Sequence, residues 1–361
     1  MLRTERKLFL EPSKKDWECN GVLNPAVIKK NGITHMIYRA VAKDFTSSFG
    51  YAKIEGGKIY REDKPLLIPT RKYEKKGIED PRITKLGNKY YLLYTAFDGK
   101  SARIAYAVSK NLIDWKKEGI ISPNINVKKG RNLVKIKKYR DKWKHQEIYT
   151  PSSALWDKDA VLFPEKIKGK YVMLHRFLPD IQIVEFKKFS DLQKNSFWES
   201  YIKDMAEDDK VSLYRRYSWE EEHIGAGTVP MRTKDGWLLL YHAVERKTKT
   251  PLAQRAVFSK ASSVFMKLRK KRLNLVYRAG AALLDLKNPR IEITRLRKPL
   301  FEPKYKWEKK GYINNVVFPE GAVVEKKKNL KVYYGCSDSR IGLAEMNLNE
   351  LLKKLRVSKN P

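Results

Sequence analysis

The chain has 361 residues, with 77 Lys and Arg against 41 Asp and Glu, so its formal net charge at pH 7 is +36. Hydrophobic residues make up 42% of the chain and aromatic residues 11%, which is enough apolar material for a large core and excludes a disordered protein. No apolar run approaches the ~20 residues that span a bilayer, and the basic start of the chain is not followed by a signal-peptide core. We therefore expect a globular cytoplasmic protein with no membrane partner.

The positive charge has two interpretations. Lys and Arg that neutralise phosphates would favour nucleic acid as a partner, whereas a lysine-rich surface would serve solubility or thermal stability. The basic residues are densest at 128–144 and 260–272, but they are spread along the whole chain and acidic residues accompany most of them. Net charge indicates how a protein associates with other molecules, but it does not indicate the fold. We favour a basic surface and do not expect a nucleic-acid partner; a non-catalytic protein that binds nucleic acid or an anionic polysaccharide is kept as an alternative.

Five segments share one pattern, in which an apolar strand reaches a Gly or Asn turn and an aromatic-rich strand returns. The returning strands carry one aromatic or imidazole side chain each, at Tyr38, Tyr94, His175, Tyr241 and Tyr334. Each segment is typical of a β-hairpin, and β-rich units at irregular spacing with few long helices favour radial repetition. The sequence predicts an all-β fold, a five-bladed β-propeller in a single domain over residues 1–361, with a basic insertion at about 124–150.

Further elements surround these hairpins. Strands are predicted at Ala102–Ser109 and Arg340–Met346, and short helical insertions at Ser190–Lys194, Ile202–Lys210 and Ala261–Lys271. A C-terminal helix is predicted at 347–355, because Leu348, Leu351, Leu352 and Leu355 follow the i, i+3, i+4, i+7 spacing of one helix face. This face is expected to pack on the propeller. The oligomeric state is open, and a homo-oligomer would use the leucine face or the basic insertion.

Cysteine and histidine usage argues against a metal site. Cys19 and Cys336 are the two cysteines, too few for a disulfide framework or a cysteine-based zinc site, and we expect both to be reduced thiols. The five histidines are scattered along the chain and form no His-x-x-x-His pair. We expect no metal and no cofactor.

The first strand of each repeat begins with polar residues that have no role in a core. They are Asn24, the run Glu79-Asp80-Pro81-Arg82, the run Asp157-Lys158-Asp159, His223, the pair Asn314-Asn315, and Glu320. Singly, Asn-Pro and Asp-Pro often start strands through turn chemistry alone. Meeting around one axis, such side chains would make a polar pocket suited to a sugar, with positive charge left for an anion.

Taken together, several motifs resemble glycoside hydrolase family 130. They are Gly21-Val-Leu-Asn-Pro-Ala, Ile78-Glu-Asp-Pro-Arg-Ile-Thr-Lys, Lys158-Asp-Ala-Val-Leu-Phe-Pro-Glu-Lys with Leu-His-Arg176, Ile224-Gly-Ala-Gly, Tyr277-Arg-Ala-Gly, and Asn315-Val-Val-Phe-Pro-Glu-Gly. The resemblance runs from about residue 20 to 345. That family consists of five-bladed β-propellers that are β-mannoside phosphorylases, with some β-1,2-mannosidases, so it agrees with the repeat count.

The resemblance implies an inverting phosphorolysis, in which inorganic phosphate as co-substrate attacks the anomeric carbon of a terminal β-mannose and releases α-mannose 1-phosphate and a shortened sugar. Asp80 would be the catalytic acid, acting through a mannose hydroxyl. The remaining implied roles are sugar binding by Asn24, Arg39, Glu79, Arg82 and Asp338, and phosphate binding by Lys158, Arg176 and His223. Phosphate is itself a competent nucleophile, so one carboxylate suffices, whereas an inverting hydrolase needs a second one to activate water.

Two departures from the family pattern strengthen a rival hypothesis, a β-mannosidase on the same scaffold, while phosphorolysis stays the leading one. Lys158-Asp159 stands where we expect Arg-Asn, and His223 stands where we expect Lys; an aspartate there would repel phosphate unless Lys158 paired with it. A hydrolase needs a general base, for which the candidates are Glu147, Asp159, Glu220, Glu221 and Glu222, although a solvated loop is the simpler interpretation of the Glu run. His175 is expected to orient Arg176 or to pack in its strand. Linkage and acceptor sugar stay open.

Overall fold

The computed structural model describes residues 2–205, 210–247 and 274–359. The helix predicted at Ala261–Lys271 and the basic cluster at 260–272 lie outside the described residues. In the part of the chain that is described, none of the helices is long and apolar enough to cross a membrane.

Strands dominate the described residues, so the predicted all-β class is confirmed. They are β1 (Glu5–Leu10), β2 (Gly21–Lys30), β3 (Ile33–Val41), β4 (Ser47–Glu55), β5 (Lys58–Arg61), β6 (Gly77–Leu86), β7 (Lys89–Phe97), β8 (Ala102–Ser109), β9 (Lys116–Ile120), β10 (Lys158–Leu162), β11 (Tyr171–Arg176), β12 (Ile181–Phe186), β13 (Val211–Leu213), β14 (His223–Ala226), β15 (Met231–Thr233), β16 (Gly236–Arg246), β17 (Leu275–Leu284), β18 (Glu292–Arg295), β19 (Val317–Val324), β20 (Asn329–Cys336) and β21 (Arg340–Asn347).

The strands form five antiparallel units. Unit one is β2–β5 and unit two is β6–β9; a single parallel pair, Ser47 with Gly77, joins these two units into one sheet. Unit three is β10–β13, and unit four orders its strands β14-β16-β17-β18 with β15 paired to β16. Unit five orders its strands β19-β20-β21-β1, so the first strand of the chain completes the last unit. Each predicted hairpin is present; its first strand opens the unit in units one, two, three and five, whereas in unit four the hairpin is β15 with β16 and β14 precedes it.

The units contact one another in sequence. Strand β2 touches β6, β6 touches β10, and β10 touches β14, while β16 and β17 touch β19 and β19 returns to touch β2. Apolar side chains fill the spaces between neighbours: Leu93 of unit two and Leu162 of unit three share one cluster, and Tyr38 of unit one and Tyr333 of unit five share another. Every unit therefore packs against the one before and the one after it, and unit five packs against unit one.

Six helices connect or flank the units in the described part of the chain. They are α1 (Val127–Leu133), α2 (Lys137–Tyr149), α3 (Phe189–Leu192), α4 (Asn195–Asp204), α5 (Lys306–Lys309) and α6 (Leu348–Lys359). The C-terminal helix is confirmed, with its four leucines buried. The helix predicted at Ile202–Lys210 is wrong in its start, because buried Trp198, Tyr201 and Ile202 anchor a helix of Asn195–Asp204; residues 206–209 of the prediction lie outside the described residues.

The basic insertion at 124–150 is not a free surface segment. It folds into α1 and α2, and Tyr139 and Trp143 of α2 are fully buried in the same cluster as Phe177 and Trp198. The density of Lys and Arg in this segment predicts a charged insertion, but these two aromatic side chains anchor it in the core. The insertion is part of the core beside unit three.

Both cysteines are free thiols, as predicted. Cys336 is buried near the end of β20, whereas Cys19 is half-buried in the segment before β2.

A buried carboxylate recurs at one end of every unit. It bonds the aromatic or imidazole side chain that closes each hairpin: Tyr38 Oη donates to Glu18 (3.0 Å), Tyr94 Oη to Glu74 (2.8 Å), Tyr241 Oη to Glu220 (2.6 Å) and Tyr334 Oη to Glu308 (2.6 Å), while His175 Nδ1 lies 2.9 Å from Asp157. All five carboxylates are fully buried, and a buried acceptor needs such partners.

In four units a cation from the outermost strand pairs with this carboxylate. The pairs are Arg61 with Glu18 (2.6 Å), Lys117 with Glu74 (2.6 Å), Arg295 with Glu220 (3.1 Å) and Arg6 with Glu308 (2.8 Å). In unit three Tyr201 of α4 contacts the imidazole instead, with 3.1 Å between its Oη and His175 Nε2. The repeated pattern of side chains therefore extends from the hairpin to the fourth strand of the unit. In unit five, β1 is that fourth strand.

Candidate active site

The candidate site lies where the first strands begin. In units one, two and three the pairing of the first two strands shifts register next to one residue in the left-handed region: Asn24 (φ 48°), Asp80 (φ 53°) and Asp159 (φ 58°). Asn and Asp tolerate this conformation better than other side chains, and a bulge redirects the side chain that it carries. Local backbone geometry therefore explains why an amide or carboxylate stands at each of these positions.

Asn24 and Asp80 meet across two units. Asn24 Nδ2 donates to Asp80 Oδ1 at 2.8 Å. Gly335 of β20 makes room for the amide, because a Cβ there would overlap Asn24 Oδ1. Both side chains are buried, so the proposed acid stands next to a proposed sugar-binding residue.

Arg39 of β3 faces the two carboxylates of β6. Its guanidinium lies 2.8 Å from Glu79 Oε1 and 3.5 Å from Asp80 Oδ1, and its Nε donates to Ser47 Oγ at 2.9 Å. Burial would lower the pKa of Arg39, but Glu79, Asp80 and then Asp338 outweigh it and raise the pKa. Arg39 is therefore held as a cation among carboxylates.

Lys158 connects unit three to this cluster. Its Nζ lies 3.2 Å from Glu79 Oε2, so Glu79 accepts Arg39 on one oxygen and Lys158 on the other. Lys158 is thus paired with Glu79 and not with the neighbouring Asp159, which corrects the pairing that the sequence suggested.

Asp80 is held ionised. Burial alone would raise the pKa of its carboxyl, but Arg39, Lys158 and Arg82 together with the Asn24 hydrogen bond hold the pKa at about 2. A carboxyl with this pKa is a base at neutral pH and holds no proton to donate. Any role as an acid therefore requires its surroundings to change when substrate binds.

Arg82 is buried beneath this surface. Its Nε donates to Gly227 O at 2.7 Å, its Nη1 to Asp80 O at 2.8 Å, and its Nη2 lies 2.7 Å from Glu320 Oε1. Only 1% of the side chain is exposed. These contacts place Arg82 behind the acid, where it holds backbone and carboxylate groups.

Asp159 pairs with the second proposed phosphate ligand. Arg176 Nε forms an ion pair with Asp159 Oδ2, and His242 Nε2 lies 3.7 Å from the same oxygen. Burial would raise the pKa of Asp159, but Arg176 and then His242 lower it below its usual range. Gly225 permits this approach, since a Cβ at that position would overlap both Asp159 Oδ2 and His242. The aspartate that seemed to oppose phosphate is balanced by Arg176.

His223 stands beside this pair with two other rings. Its ring centre lies 6.0 Å from that of His242 and 6.1 Å from that of Tyr277. Burial, and after it the charge of Arg176, lower the pKa of His223 well below its ordinary value. His223 is therefore a neutral imidazole at neutral pH.

Asp338 occupies the turn between β20 and β21, in the left-handed region with φ 49°. Its charge acts on Arg39 and on Tyr277. The structure therefore gathers Asn24, Arg39, Glu79, Asp80 and Asp338 on one side of the site, with Lys158, Arg176 and His223 on the other.

The candidate bases for hydrolysis are paired or lie away from this centre. Glu222 contacts Lys142 (3.2 Å) and Arg246 (2.9 Å), and Glu147 forms an ion pair with Arg131. Glu220, expected in a solvated loop, is instead the fully buried partner of Tyr241 and Arg295, while Glu221 is exposed.

His175 packs in its strand, as one of its two predicted roles required. Its imidazole is fully buried between Asp157 and Tyr201.

Three residues of the site carry no sequence-based role. They are His242, stacked on Phe318 with ring centres 4.1 Å apart, Tyr277 beside it, and Glu320 against Arg82. The Phe-Pro-Glu-Gly motif did mark Glu320 as polar at a strand start, but its partner could not be read from the sequence. Among the described residues, no group of three or more His, Cys, Asp and Glu side chains is placed to hold a metal ion.

Comparisons with known proteins identify the family of this chain. The family model described as beta-1,4-mannooligosaccharide phosphorylase matches residues 10–357. Two proteins of Thermoanaerobacter sp. (strain X514) are similar: a 1,2-beta-oligomannan phosphorylase, 36% identical over 96% of this chain and 97% of its own length, and a beta-1,2-mannobiose phosphorylase, 35% identical over 95% and 96%. The solved beta-1,2-mannobiose phosphorylase from Listeria innocua, in complex with beta-1,2-mannobiose, shares the fold with a TM-score of 0.69 at 23% identity, over 99% of this chain and 100% of that one. The chain belongs to glycoside hydrolase family 130.

Proposed function

We propose that this protein is a β-mannoside phosphorylase that cleaves a terminal β-linked mannose with inorganic phosphate and releases α-mannose 1-phosphate. The observation that carries the proposal is that two groups of side chains lie side by side. In the first, Asn24 and Arg39 hold the Asp80 carboxylate. The second contains two cations, Lys158 and Arg176, each of which pairs with a carboxylate. The names of the two Thermoanaerobacter relatives support β-1,2-mannosides as the substrate class.

The scaffold that we propose is a five-bladed propeller, with the five units as its blades. Three observations support it: each unit contacts the next, unit five returns to unit one, and a buried carboxylate recurs at the same place in every unit. Strand β1 closes the last blade by supplying Arg6 to Glu308. The first strands of the blades would then line the axis, where the site residues gather.

Asn24, Arg39, Glu79 and Asp338 bind the terminal mannose in this proposal. These carboxylates and the arginine already form hydrogen bonds with one another, and hydrogen bonds to sugar hydroxyls can replace them. Asp80 then faces a mannose hydroxyl and supplies the proton that this hydroxyl passes to the leaving oxygen. The bond from phosphate oxygen to the anomeric carbon forms as the glycosidic bond breaks.

Asp80 must gain a proton for this role, and phosphate binding provides the reason. In the ligand-free site Arg39 and Lys158 hold the pKa of Asp80 at about 2. A phosphate bound to Lys158 and Arg176 takes up the charge of Lys158 and adds negative charge of its own, so the pKa of Asp80 rises. The acid is therefore prepared only when phosphate is bound.

Lys158, Arg176 and neutral His223 hold the phosphate. Lys158 and Arg176 are now balanced by Glu79 and Asp159, so the centre has no strong net positive charge before the anion arrives. A neutral imidazole still donates one hydrogen bond to a phosphate oxygen. The β-mannosidase alternative receives less support, since both Thermoanaerobacter relatives are named phosphorylases.

Incubation of the protein with β-1,2-mannobiose, with and without inorganic phosphate, tests this function. We expect α-mannose 1-phosphate and mannose, detected by phosphorus and proton NMR, only when phosphate is present. Free mannose formed at the same rate without phosphate, with no sugar phosphate, would establish the hydrolase. Asp80→Asn should lose activity by about 10³-fold or more, whereas Asp141→Asn, on an exposed residue of α2, should retain it.

A further inference from the structure

Glu320 is a carboxylate that neither the sugar nor the phosphate half of the site uses. It lies in β19 where the pairing with β20 shifts register between Pro319 and Gly321, and it is 2% exposed. Its Oε1 lies 2.7 Å from Arg82 Nη2, whose side chain is equally buried. A carboxyl and a guanidinium at this depth are costly to desolvate and are often replaceable by apolar residues, so their presence calls for a reason other than stability.

The other contacts of Arg82 give that reason. Its Nη1 donates to the carbonyl oxygen of Asp80 at 2.8 Å, and its Nε donates to the carbonyl oxygen of Gly227 at 2.7 Å. The guanidinium therefore ties three units together, through β6, the segment after β14, and β19.

The Asp80 carbonyl depends on Arg82. The pairing of β6 with β7 steps from Glu79 directly to Arg82, so Asp80 lies in the bulge and outside the ladder. Its left-handed backbone, with φ 53°, is a conformation that its surroundings must hold. The guanidinium of Arg82 supplies this restraint from below while the carboxylate points to Asn24 and Arg39.

We infer that Glu320 is a positioning residue for Asp80: it fixes the Arg82 guanidinium, which in turn holds the bulge that aims the Asp80 carboxylate at the substrate. The inference rests on the proposed role of Asp80. Arg82 accordingly acts from behind the site and contacts no sugar.

Loss of Glu320 would release Arg82 toward other anions. Asp80 and Asp159 are the neighbouring carboxylates whose charges Arg82 already influences. A guanidinium turned to the Asp80 carboxylate would leave the carbonyl unsupported and would oppose protonation of the acid. Both effects reduce turnover and leave the phosphate ligands Lys158 and Arg176 in place.

Glutamine at position 320 separates positioning from charge. Burial raises the pKa of Glu320 well above its ordinary range, although Arg82 opposes this. An amide oxygen at the same position can take the place of Glu320 Oε1, which lies 2.7 Å from Arg82 Nη2, and is itself a hydrogen-bond acceptor. Glu320→Gln should therefore keep Arg82 in place, whereas Glu320→Ala removes the acceptor.

The experiment measures kcat and the KM for phosphate and for β-1,2-mannobiose in both variants, together with their melting temperatures. We expect Glu320→Ala to lower kcat by about 100-fold, as misplacement of a reacting group does, with the KM for phosphate within about twofold of the natural protein. Glu320→Gln should recover at least about tenfold of this loss. A wild-type kcat in Glu320→Ala, or equal losses in Ala and Gln, would overturn the inference.

Glu220→Ala is the matched control. Glu220 is as deeply buried as Glu320 and pairs with Arg295 at 3.1 Å, but it lies at the carboxylate repeat of unit four, away from Asp80. It should lower the melting temperature and leave the kcat of the folded enzyme within about twofold.

Arg82→Lys decides the matter if Glu320→Ala fails to fold. Lysine keeps the charge but cannot hold three acceptors in the fixed fork of a guanidinium, so kcat should fall while the KM for phosphate does not change; a natural kcat in Arg82→Lys would overturn the inference. Asp80→Asn is measured beside these variants. An active Asp80→Asn would refute the role of the acid, whereas an inactive Asp80→Asn with an active Glu320→Ala would refute the positioning role alone.

Discussion

Arg6 and Glu308 stand 302 residues apart in the sequence and 2.8 Å apart in the structure. Glu308 also accepts from Tyr334 Oη at 2.6 Å, and Arg6 lies over the rings of Phe301 and Tyr305. This contact joins the first strand of the chain to the last unit, in the position that Arg61, Lys117 and Arg295 occupy in three other units.

Arg6→Ala should destabilise the protein strongly. It leaves the Glu308 charge buried without its cation, and loss of one partner of a buried pair costs about 3 kcal/mol. The free energy of unfolding, measured by denaturant titration, checks this. Arg3→Ala is the control, since Arg3 and its partner Glu5 are 85% and 67% exposed and the loss there should stay below about 1 kcal/mol. Equal effects of the two variants would contradict the role of β1 in closing the fold.

Lys158→Ala and Arg176→Ala should each raise the KM for phosphate, by about 10- to 100-fold, because each removes a charge-assisted hydrogen bond to the anion. Initial rates at varied phosphate and fixed mannobiose measure this. Lys129→Ala, which removes an exposed pair with Glu199, should not change it. Variants with an unchanged KM for phosphate would move the anion site elsewhere.

Gly225→Ala should disable the enzyme, with a loss of at least about tenfold in kcat/KM for phosphate. The added methyl group would overlap Asp159 and His242, displacing the partner that orients Arg176. In Gly21→Ala the nearest atoms to the new methyl group are 3.5 Å away, at ordinary contact distance, so that variant should fold and act nearly as the natural protein does. A fully active Gly225→Ala would show that the Asp159 pair has no influence on phosphate.

The depressed pKa of Asp80 should appear in stability. Its folded value is about 2 against an ordinary 3.8, so the ionised carboxylate stabilises the fold above pH 3.8 and this contribution is lost as pH falls toward 2. The difference in unfolding free energy between the natural protein and Asp80→Asn should therefore shrink from pH 5 to pH 2. A difference that stays constant over this range would mean that Arg39 and Lys158 do not hold Asp80 ionised.

Much of the fold is predictable from the sequence because the residues that determine it are close together along the chain. Alternating apolar residues and Gly or Asn turns give the hairpins, and the leucine spacing gives α6. The sequence marks Asn24, Asp80 and Asp159 as polar residues at strand starts, and the structure gives the reason, since a left-handed residue within a strand favours Asn or Asp. A further local pattern marks the buried carboxylates: an aromatic residue followed by glutamate precedes four of the units, at Trp17-Glu18, Tyr73-Glu74, Trp219-Glu220 and Trp307-Glu308.

The partner of each charge was decided by the tertiary structure. The sequence by itself determined which residues carry charge at the strand starts, and that Asp80 would be among them. It did not determine that Lys158 turns to Glu79, that Arg176 turns to Asp159, or that Glu320 lies beneath Arg82. These pairs join different strands, two of them across different units, and a buried charge takes whichever opposite charge the packing brings within a few ångströms. Sequence spacing does not encode that distance, because the loops between the units vary in length.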